Sequence, residues 1–260
     1  MLDPLHQVLA VGSGGLVGFT LGLIGGGGSI LATPLLLYVV GVSNPHVAIG
    51  TGALAVSVNA FVNFAGHSRC GNVRWREAIV FALVGTLGAF AGSSLGKLVD
   101  GQRLLFLFAL LMVVVGVLML RPRKQEAGTT DGAPGSVVKI GGVALAAGGL
   151  SGFFGIGGGF LIVPALLLST GIPLIQAIGS SLLAVGAFGL ATAVNYAVSG
   201  LVDWLVAAEY VVGGIAGGVF GMRLAIRLAP RRAALNRIFA GVIFTVAAYI
   251  LYRNAAAFGA

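Results

Sequence analysis

The sequence predicts an all-α, polytopic membrane protein built as two homologous, inverted repeats. Three observations carry that expectation. Only 8% of the 260 residues are charged against 58% hydrophobic, where a soluble domain has about 25% charged. The apolar residues gather into eight long blocks separated by short polar joints. A pattern of glycine, proline and tryptophan written in the first half is also written again in the second.

The composition excludes a water-soluble globular enzyme, a disordered chain and a disulfide-rich secreted domain. The apolar runs are continuous rather than alternating, which excludes a transmembrane β-barrel. The net charge of +8 does not point to nucleic acid, because the basic residues sit in short clusters between apolar runs. Cys70 is the only cysteine, so neither an intramolecular disulfide nor a cysteine-based metal site is expected. The start of the chain has Asp3 and no basic residue before its apolar run, so it does not read as a cleaved signal peptide.

The repeat is seen by register. Gly18, Gly22, Gly25, Gly27, Gly28 and Pro34 recur 130 positions later as Gly148, Gly152, Gly155, Gly157, Gly158 and Pro164. Gly71 to Trp75 recurs 129 positions later as Gly200 to Trp204, and Gly85, Gly88 and Gly92 recur as Gly214, Gly217 and Gly221. A glycine-rich chain gives some coincidences, but not with Pro and Trp in register as well. The expected organisation is a first transmembrane repeat at 1–120, a cytoplasmic linker at 121–139 and a second repeat at 140–260. The linker holds most of the remaining polar residues and reads as a loop.

Each half contains four apolar blocks: 8–40, 45–65, 77–98 and 104–120, then 140–169, 174–198, 205–226 and 236–252. Six suit one helix each. The first of each half is too long: about 30 residues make roughly 45–50 Å of helix, against a hydrocarbon core of about 30 Å. Each is also interrupted, by Gly25-Gly26-Gly27-Gly28 and by Gly155-Ile156-Gly157-Gly158-Gly159. Glycine costs roughly 1 kcal/mol relative to alanine inside a helix, so a break is expected there.

Loop charge decides whether the broken block crosses or turns back. With a single crossing, the basic residues divide eight against seven. With a re-entrant hairpin, twelve fall on one side and only Lys97, Arg103 and Arg253 on the other. The positive-inside rule favours the hairpin. Each half is then a glycine-rich, broken, re-entrant helix hairpin plus three transmembrane helices. The halves are inverted, and both termini lie outside the cytoplasm.

Paired broken helices in inverted repeats are a transporter design, with the substrate expected where the two breaks meet near the midplane. A helix N-terminus offers free N–H groups and a positive dipole end, which suit an anion. Glycine lets that backbone come close. The expected substrate-binding set is Gly25, Gly26, Gly27, Gly28 and Ser29 with Gly155, Gly157, Gly158 and Gly159. Neutral donors from each second block join it: Thr51, Asn59 and Asn63, then Ser180 and Ser181. Asn59 and Asn63 share a helix face, and Ser180 and Ser181 are expected to open a helical segment after Gly179. Each of these polar residues is, taken singly, more often an interhelical hydrogen bond than a ligand. Gly88, Gly92, Gly96, Gly217 and Gly221 read as helix packing. His67 and Arg69 belong to a cytoplasmic basic cluster with Arg74 and Arg76, read first as a topology signal and second as an attractor of anions.

Absences narrow the class. No carboxylate lies near the middle of a block; Glu77 and Glu209 sit just inside theirs, close to Trp75 and Trp204. A cation carrier or proton pump would show intramembrane carboxylates. There is no nucleotide motif, no catalytic triad spacing and no metal set, so neither an enzyme nor a cofactor is expected. The expected partners are a small anion, the lipid bilayer and, through coupling, a proton.

The sequence resembles the TauE/SafE family of sulfite and organosulfonate exporters. The resemblance spans nearly the whole chain. Its most specific parts are Gly18-Phe19-x-x-Gly22-x-x-Gly25-Gly26-Gly27-Gly28 with Pro34, the second copy from Gly148 to Pro164, and Gly200-Leu201-Val202-Asp203-Trp204. It implies an inner-membrane secondary carrier for a small sulfur-containing anion such as sulfite, thiosulfate or a small sulfonate, working by alternating access. A passive anion channel of the same architecture is the alternative. Ser29 stands opposite Gly159, and Arg74 opposite Asp203, so the two half-sites are not chemically identical.

Overall fold

The computed structural model describes residues 4–120, 137–155, 159–227, 241 and 244–253, and among them every regular element is helical. The first block begins as α1 (Pro4–Ile24), a 21-residue helix. It ends at Gly25, whose φ of 75° no side chain adopts comfortably. A 3-10 segment (Gly25–Leu31), a single turn α2 (Ala32–Leu35) and a π turn (Leu36–Val40) complete the block. This return stretch packs on α1. A Cβ on Gly28 would collide with the Thr20–Leu21 backbone, and one on Gly41 would lie 3.6 Å from His6 Nε2. The end of the block therefore lies beside its start.

The rest of the first half is α3 (Pro45–Arg69), α4 (Trp75–Gly96) and α5 (Gly101–Leu120). Asn44 Oδ1 accepts the His46 N–H at 2.9 Å and Pro45 fills the first helical position, which together start α3. The second half runs α6 (Val137–Phe154), α7 (Gly159–Thr170), α8 (Leu174–Val198) and α9 (Trp204–Arg227), and residues 244–253 are again helical. Five described helical stretches are long and apolar enough to cross a bilayer: Pro4–Val40, Pro45–Arg69, Trp75–Gly96, Ile175–Val198 and Trp204–Ala225. The chain is a multi-pass membrane protein. Gly157 and Gly158, most of the 121–139 linker and much of the last block lie outside the described residues.

The repeat seen in the letters recurs in backbone conformation. The glycines with positive φ are Gly25, Gly41 and Gly71, then Gly155, Gly171 and Gly200. These form three pairs separated by 130, 130 and 129 positions. Each marks the same joint of its half: the break, the end of the broken block, and the loop before the fourth element.

The two halves are interleaved. α1 packs on α9 and α6 on α4. Both seams are backbone against backbone: a Cβ on Gly18 would overlap the Gly214 carbonyl, and one on Gly148 the Gly85 carbonyl. Gly14, Gly18 and Gly22 meet Tyr210, Gly214 and Gly218 in that order, so α1 and α9 run parallel. The glycines read from sequence as packing residues sit in these seams. Gly88, Gly92 and Gly96 face Leu145, Gly149 and Phe153 of α6, and Gly217 and Gly221 face Gly15 and Phe19 of α1. Between the seams α3 and α8 cross antiparallel, with Ser57 Oγ donating to the Gly186 carbonyl at 2.7 Å. Ser57 and Gly186 are themselves equivalent positions, 129 apart.

Candidate functional site

The first break is built from its own turn outward. Ser29 Oγ donates to the Gly26 carbonyl at 2.8 Å, and Tyr210 of α9 reaches the Ala32 carbonyl at 3.4 Å. Gly25 to Leu31 are all buried. The 3-10 segment lies against α7 and α8. A Cβ on Gly25 would meet Ile178 Cγ2 at 2.9 Å and Ser181 Oγ at 3.3 Å. Of the sequence-predicted ligands, Gly25 and Ser181 are therefore neighbours. Ser181 Oγ donates to the Ile178 carbonyl at 2.8 Å, so its hydroxyl hydrogen is engaged within α8.

The second break is placed differently. Gly155, φ 66°, rests on Ile49 of α3, so closely that a Cβ there would collide with Cγ2. Ile49 stands in the first turn or so of α3 and Ile178 in that of α8. Because α3 and α8 are antiparallel, the two breaks address opposite ends of that pair. The expectation that the two breaks meet at one place is corrected: each is seated on the first turns of a different member of the α3–α8 pair. Gly159 opens α7, directly after the second break.

Thr51 and Ser180 hold loops. Thr51 Oγ1 accepts the Asp203 N–H at 2.9 Å, and Ser180 Oγ accepts the Arg74 N–H at 2.9 Å. Each hydroxyl tethers the start of the other half's fourth element, at opposite ends of the molecule. The expectation that Ser180 and Ser181 begin a helix after Gly179 is corrected: α8 already starts at Leu174. Pro173 ahead of it supplies the carbonyl that Ala177 N–H bonds at 2.9 Å, so the helix begins a turn and a half earlier.

Asn59 and Asn63 do share a face of α3, and it faces α9: a Cβ on Gly214 would overlap the Asn59 amide, and one on Gly218 would lie 2.6 Å from Asn63 Nδ2. Asn63 Nδ2 donates back to the Asn59 carbonyl at 2.8 Å. Both amide atoms of Asn59 are buried without a hydrogen-bond partner. In hydrocarbon-like surroundings that is costly.

Sequence reasoning missed a four-residue unit that organises both half-sites: Ala48-Ile49-Gly50-Thr51 and Ala177-Ile178-Gly179-Ser180. The isoleucine seals the other half's break. The glycine lets a loop carbonyl, Leu201 or Asn72, approach where a Cβ would overlap it. The hydroxyl holds the same loop. The signal was available, since the two units lie 129 apart, but apolar residues inside apolar blocks draw no attention.

Two open cavities, about 740 and 350 Å³, lie at the end where α1, α3 and α9 begin. They are lined mainly by loop residues such as Ser43, Asn44, Leu98 and Asp100, and neither includes a glycine break. They are bowls between helix ends. Gly25 to Gly28 of the first break, buried and without side chains, are the better candidate for a translocation site. No cluster of metal-ligating residues occurs among the described residues.

Comparison with known proteins fits this architecture. The family profile described as "Sulfite exporter TauE/SafE" matches residues 10–250. The chain belongs to the TauE/SafE sulfite exporter family. A relative from Xylella fastidiosa named "Probable membrane transporter protein" is 59% identical over 252 residues, covering 95% of each chain. Similarly named proteins of Haemophilus influenzae and Bacillus subtilis are 32% and 26% identical, covering 78% and 86% of this chain. No solved structure matches. This TauE/SafE member is thus a transporter-type membrane protein.

Proposed function

We propose that this protein is a secondary carrier of a small sulfur-containing anion, such as sulfite, thiosulfate or a small organosulfonate, across the inner membrane by alternating access. It is not an enzyme. The observation that carries the reading is the reciprocal seating of the breaks: Gly25 of one half on Ile178 and Ser181 of the other, and Gly155 on Ile49. On this reading the main-chain N–H groups at the first break, set against the second crossing helix of the other half, are the anion donors. That gives two candidate anion half-sites, one at Gly25–Gly28 and one at the Gly155 break, near opposite ends of the α3–α8 pair.

Several contacts support a re-entrant hairpin and an inverted topology. Gly41 lies beside His6, as the two ends of a hairpin must. The parallel pairs α1–α9 and α4–α6 start at opposite ends of the molecule: Thr51 ties the α9 start to the α3 start, whereas Ser180 ties the α4 start to the α8 start. With Arg69, Arg74 and Arg76 facing the cytoplasm, both termini are on the other side. The glycine seams move as units, because backbones in contact have no side chains to slip on. The moving bodies are therefore the α1–α9 and α4–α6 pairs, turning about the Ser57–Gly186 crossing, rather than the two sequence halves.

The test is uptake into proteoliposomes of sulfite, thiosulfate, taurine, sulfoacetate, sulfate and chloride. Saturable transport of one or two sulfur anions is expected, and Gly27→Leu is expected to abolish it while leaving protein in the membrane. A current that does not saturate identifies a channel. A flat panel from folded protein contradicts the substrate class.

A further inference from the structure

We infer that His67 is the proton-binding residue of this carrier, placing a proton beside the anion at the Gly25 half-site; the inference rests on the carrier reading above. His67 is 1% exposed, and neither ring nitrogen has a hydrogen-bond partner. It follows Asn59 and Asn63 at intervals of four along α3, so the three side chains form one buried polar file. The file runs along the glycine face of the α1–α9 seam, with Asn63 Oδ1 3.0 Å from where a Cβ on Gly22 would be. The imidazole lies near the Gly22 backbone, three residues before the break, without making a hydrogen bond to it. On the other side, a Cβ on Gly179 would lie 3.4 Å from His67 Cβ. Gly179 sits between Ile178 and Ser180, and Ile178 and Ser181 are the residues that meet Gly25. His67 thus borders the first half-site from both α1 and α8.

The chemistry follows from what surrounds it. α1, α7 and α8 contain no carboxylate, lysine or arginine between Pro4 and Ile24, Gly159 and Thr170, or Leu174 and Val198; their only other titratable groups are His6 and Tyr196 at the far end. Among the described side chains, the charges at this end are Arg69 on α3, Arg74 in the following loop, where its Nε donates to Gln176 Oε1, Arg76 and Glu77 at the start of α4, and Arg223 on α9. Cys70 is exposed. An anion entering the break meets dipoles but no permanent positive charge. A proton taken up from water onto a ring nitrogen of His67 supplies one positive charge and a donor, and its return to water on the far side neutralises the site. One proton then moves with each anion. The equivalent residue in the second half is Tyr196, also buried with an unpartnered hydroxyl. A phenol does not gain a proton near neutral pH, so the proton site belongs to one half only.

Thiosulfate and sulfoacetate test this well because their acid groups stay ionised near neutral pH and carry no proton themselves. In proteoliposomes loaded with a pH-sensitive dye, a gradient of either anion through wild-type protein is expected to acidify the lumen as the anion enters. His67→Gln is expected to cut that proton signal at least tenfold and to make any remaining anion flux insensitive to pH. Glu209→Gln, which alters a carboxylate of α9 whose Oε2 is also buried without a hydrogen-bond partner, is expected to leave the signal within twofold. A His67→Gln signal above half of wild type, or its loss in Glu209→Gln alone, overturns the assignment. Wild-type protein that moves neither anion, nor any in the wider panel, contradicts the carrier reading itself. A second measurement does not depend on a folded variant. Nitrogen NMR of the imidazoles in nanodiscs, with His6→Gln and His46→Gln to isolate His67, is expected to show at least threefold tighter proton binding in thiosulfate. Binding unchanged by both anions overturns the proposal.

Discussion

α3 and α8 hold equivalent places in the two halves, cross each other at Ser57 and Gly186, and use the same Ala-Ile-Gly-hydroxyl unit to hold a loop and seal a break. Beyond that crossing they diverge. The face that carries Asn59, Asn63 and His67 on α3 carries Phe188, Thr192 and Tyr196 on α8. Phe188 is fully buried and stacks on Phe81 with ring centroids 6.3 Å apart. Asn59 is equally buried and makes no hydrogen bond through its amide. At the first of these positions one half packs an aromatic ring where the other leaves an amide unsatisfied; further along, Thr192, Tyr196 and His67 are alike buried without a hydrogen-bond partner. Packing alone explains the first arrangement and not the second.

The polar ends of these helices differ in a complementary way. On the α8 side, Lys97 Nζ donates to the Asn195 carbonyl, to Asn195 Oδ1 and to Ser199 Oγ at 2.8–3.0 Å, and Asn195 Nδ2 donates to Ser93 and Ser94 Oγ. On the α3 side, the position equivalent to Asn195 is Gly66, which faces Met222. The α4–α8 seam is pinned by five hydrogen bonds from two side chains, whereas the α3–α9 seam has an adaptable thioether there.

The comparison can be broken most severely at the frame both halves share. Gly18→Leu and Gly148→Leu each drive a side chain into a carbonyl of the opposing helix. Both are expected to reduce the monodisperse yield in detergent by tenfold or more, and equally. A well-folded Gly18→Leu protein would mean that the α1–α9 seam is not as close as described.

A sharper contrast comes from the faces themselves. Phe188→Asn is expected to destabilise by about 3–5 kcal/mol, through lost ring packing and a newly buried amide. Asn59→Leu is expected to raise stability by about 1–3 kcal/mol, because it removes unsatisfied polar atoms, while transport falls at least tenfold. Thermal unfolding in the same detergent, paired with uptake, reads both. An Asn59→Leu protein that is destabilised and still transports would place Asn59 in packing only.

The smallest effects should be matched. Thr51→Val and Ser180→Ala each remove one hydrogen bond from a helix to a loop N–H of the other half, worth roughly 0.5–1.5 kcal/mol. Their losses in thermal stability should agree closely. A much larger effect on transport at Ser180 would show that its hydroxyl also serves the Gly25 half-site.

Much of this was legible in the letters. The blocks predicted at 45–65, 77–98 and 174–198 fall inside or across α3, α4 and α8, because length and hydropathy fix where a helix can lie in a bilayer. The breaks were legible because glycine weakens helix in any context, and the seam glycines because their spacing of four repeats on one face. Interleaving was not legible. Which half's helix fills which glycine groove depends on three-dimensional register, and a sequence repeat is silent about partners. Thr51 and Ser180 were expected as ligands because a buried hydroxyl needs a partner; the partners are main-chain N–H groups over a hundred residues away. Ile49 and Ile178 escaped because an isoleucine that seals a break looks like any other in the block.

One pair of positions tests the inverted frame most directly. Cys70 is exposed in the loop after α3, and its equivalent, Ser199, is exposed in the loop after α8. The wild-type protein and a Cys70→Ser, Ser199→Cys variant can be treated with a membrane-impermeant maleimide in right-side-out and inside-out vesicles. Cys70 is expected to react only from the cytoplasmic side and the cysteine at position 199 only from the opposite side. Labelling of both from the same side would contradict the inversion, and with it the re-entrant hairpins on which the two half-sites depend.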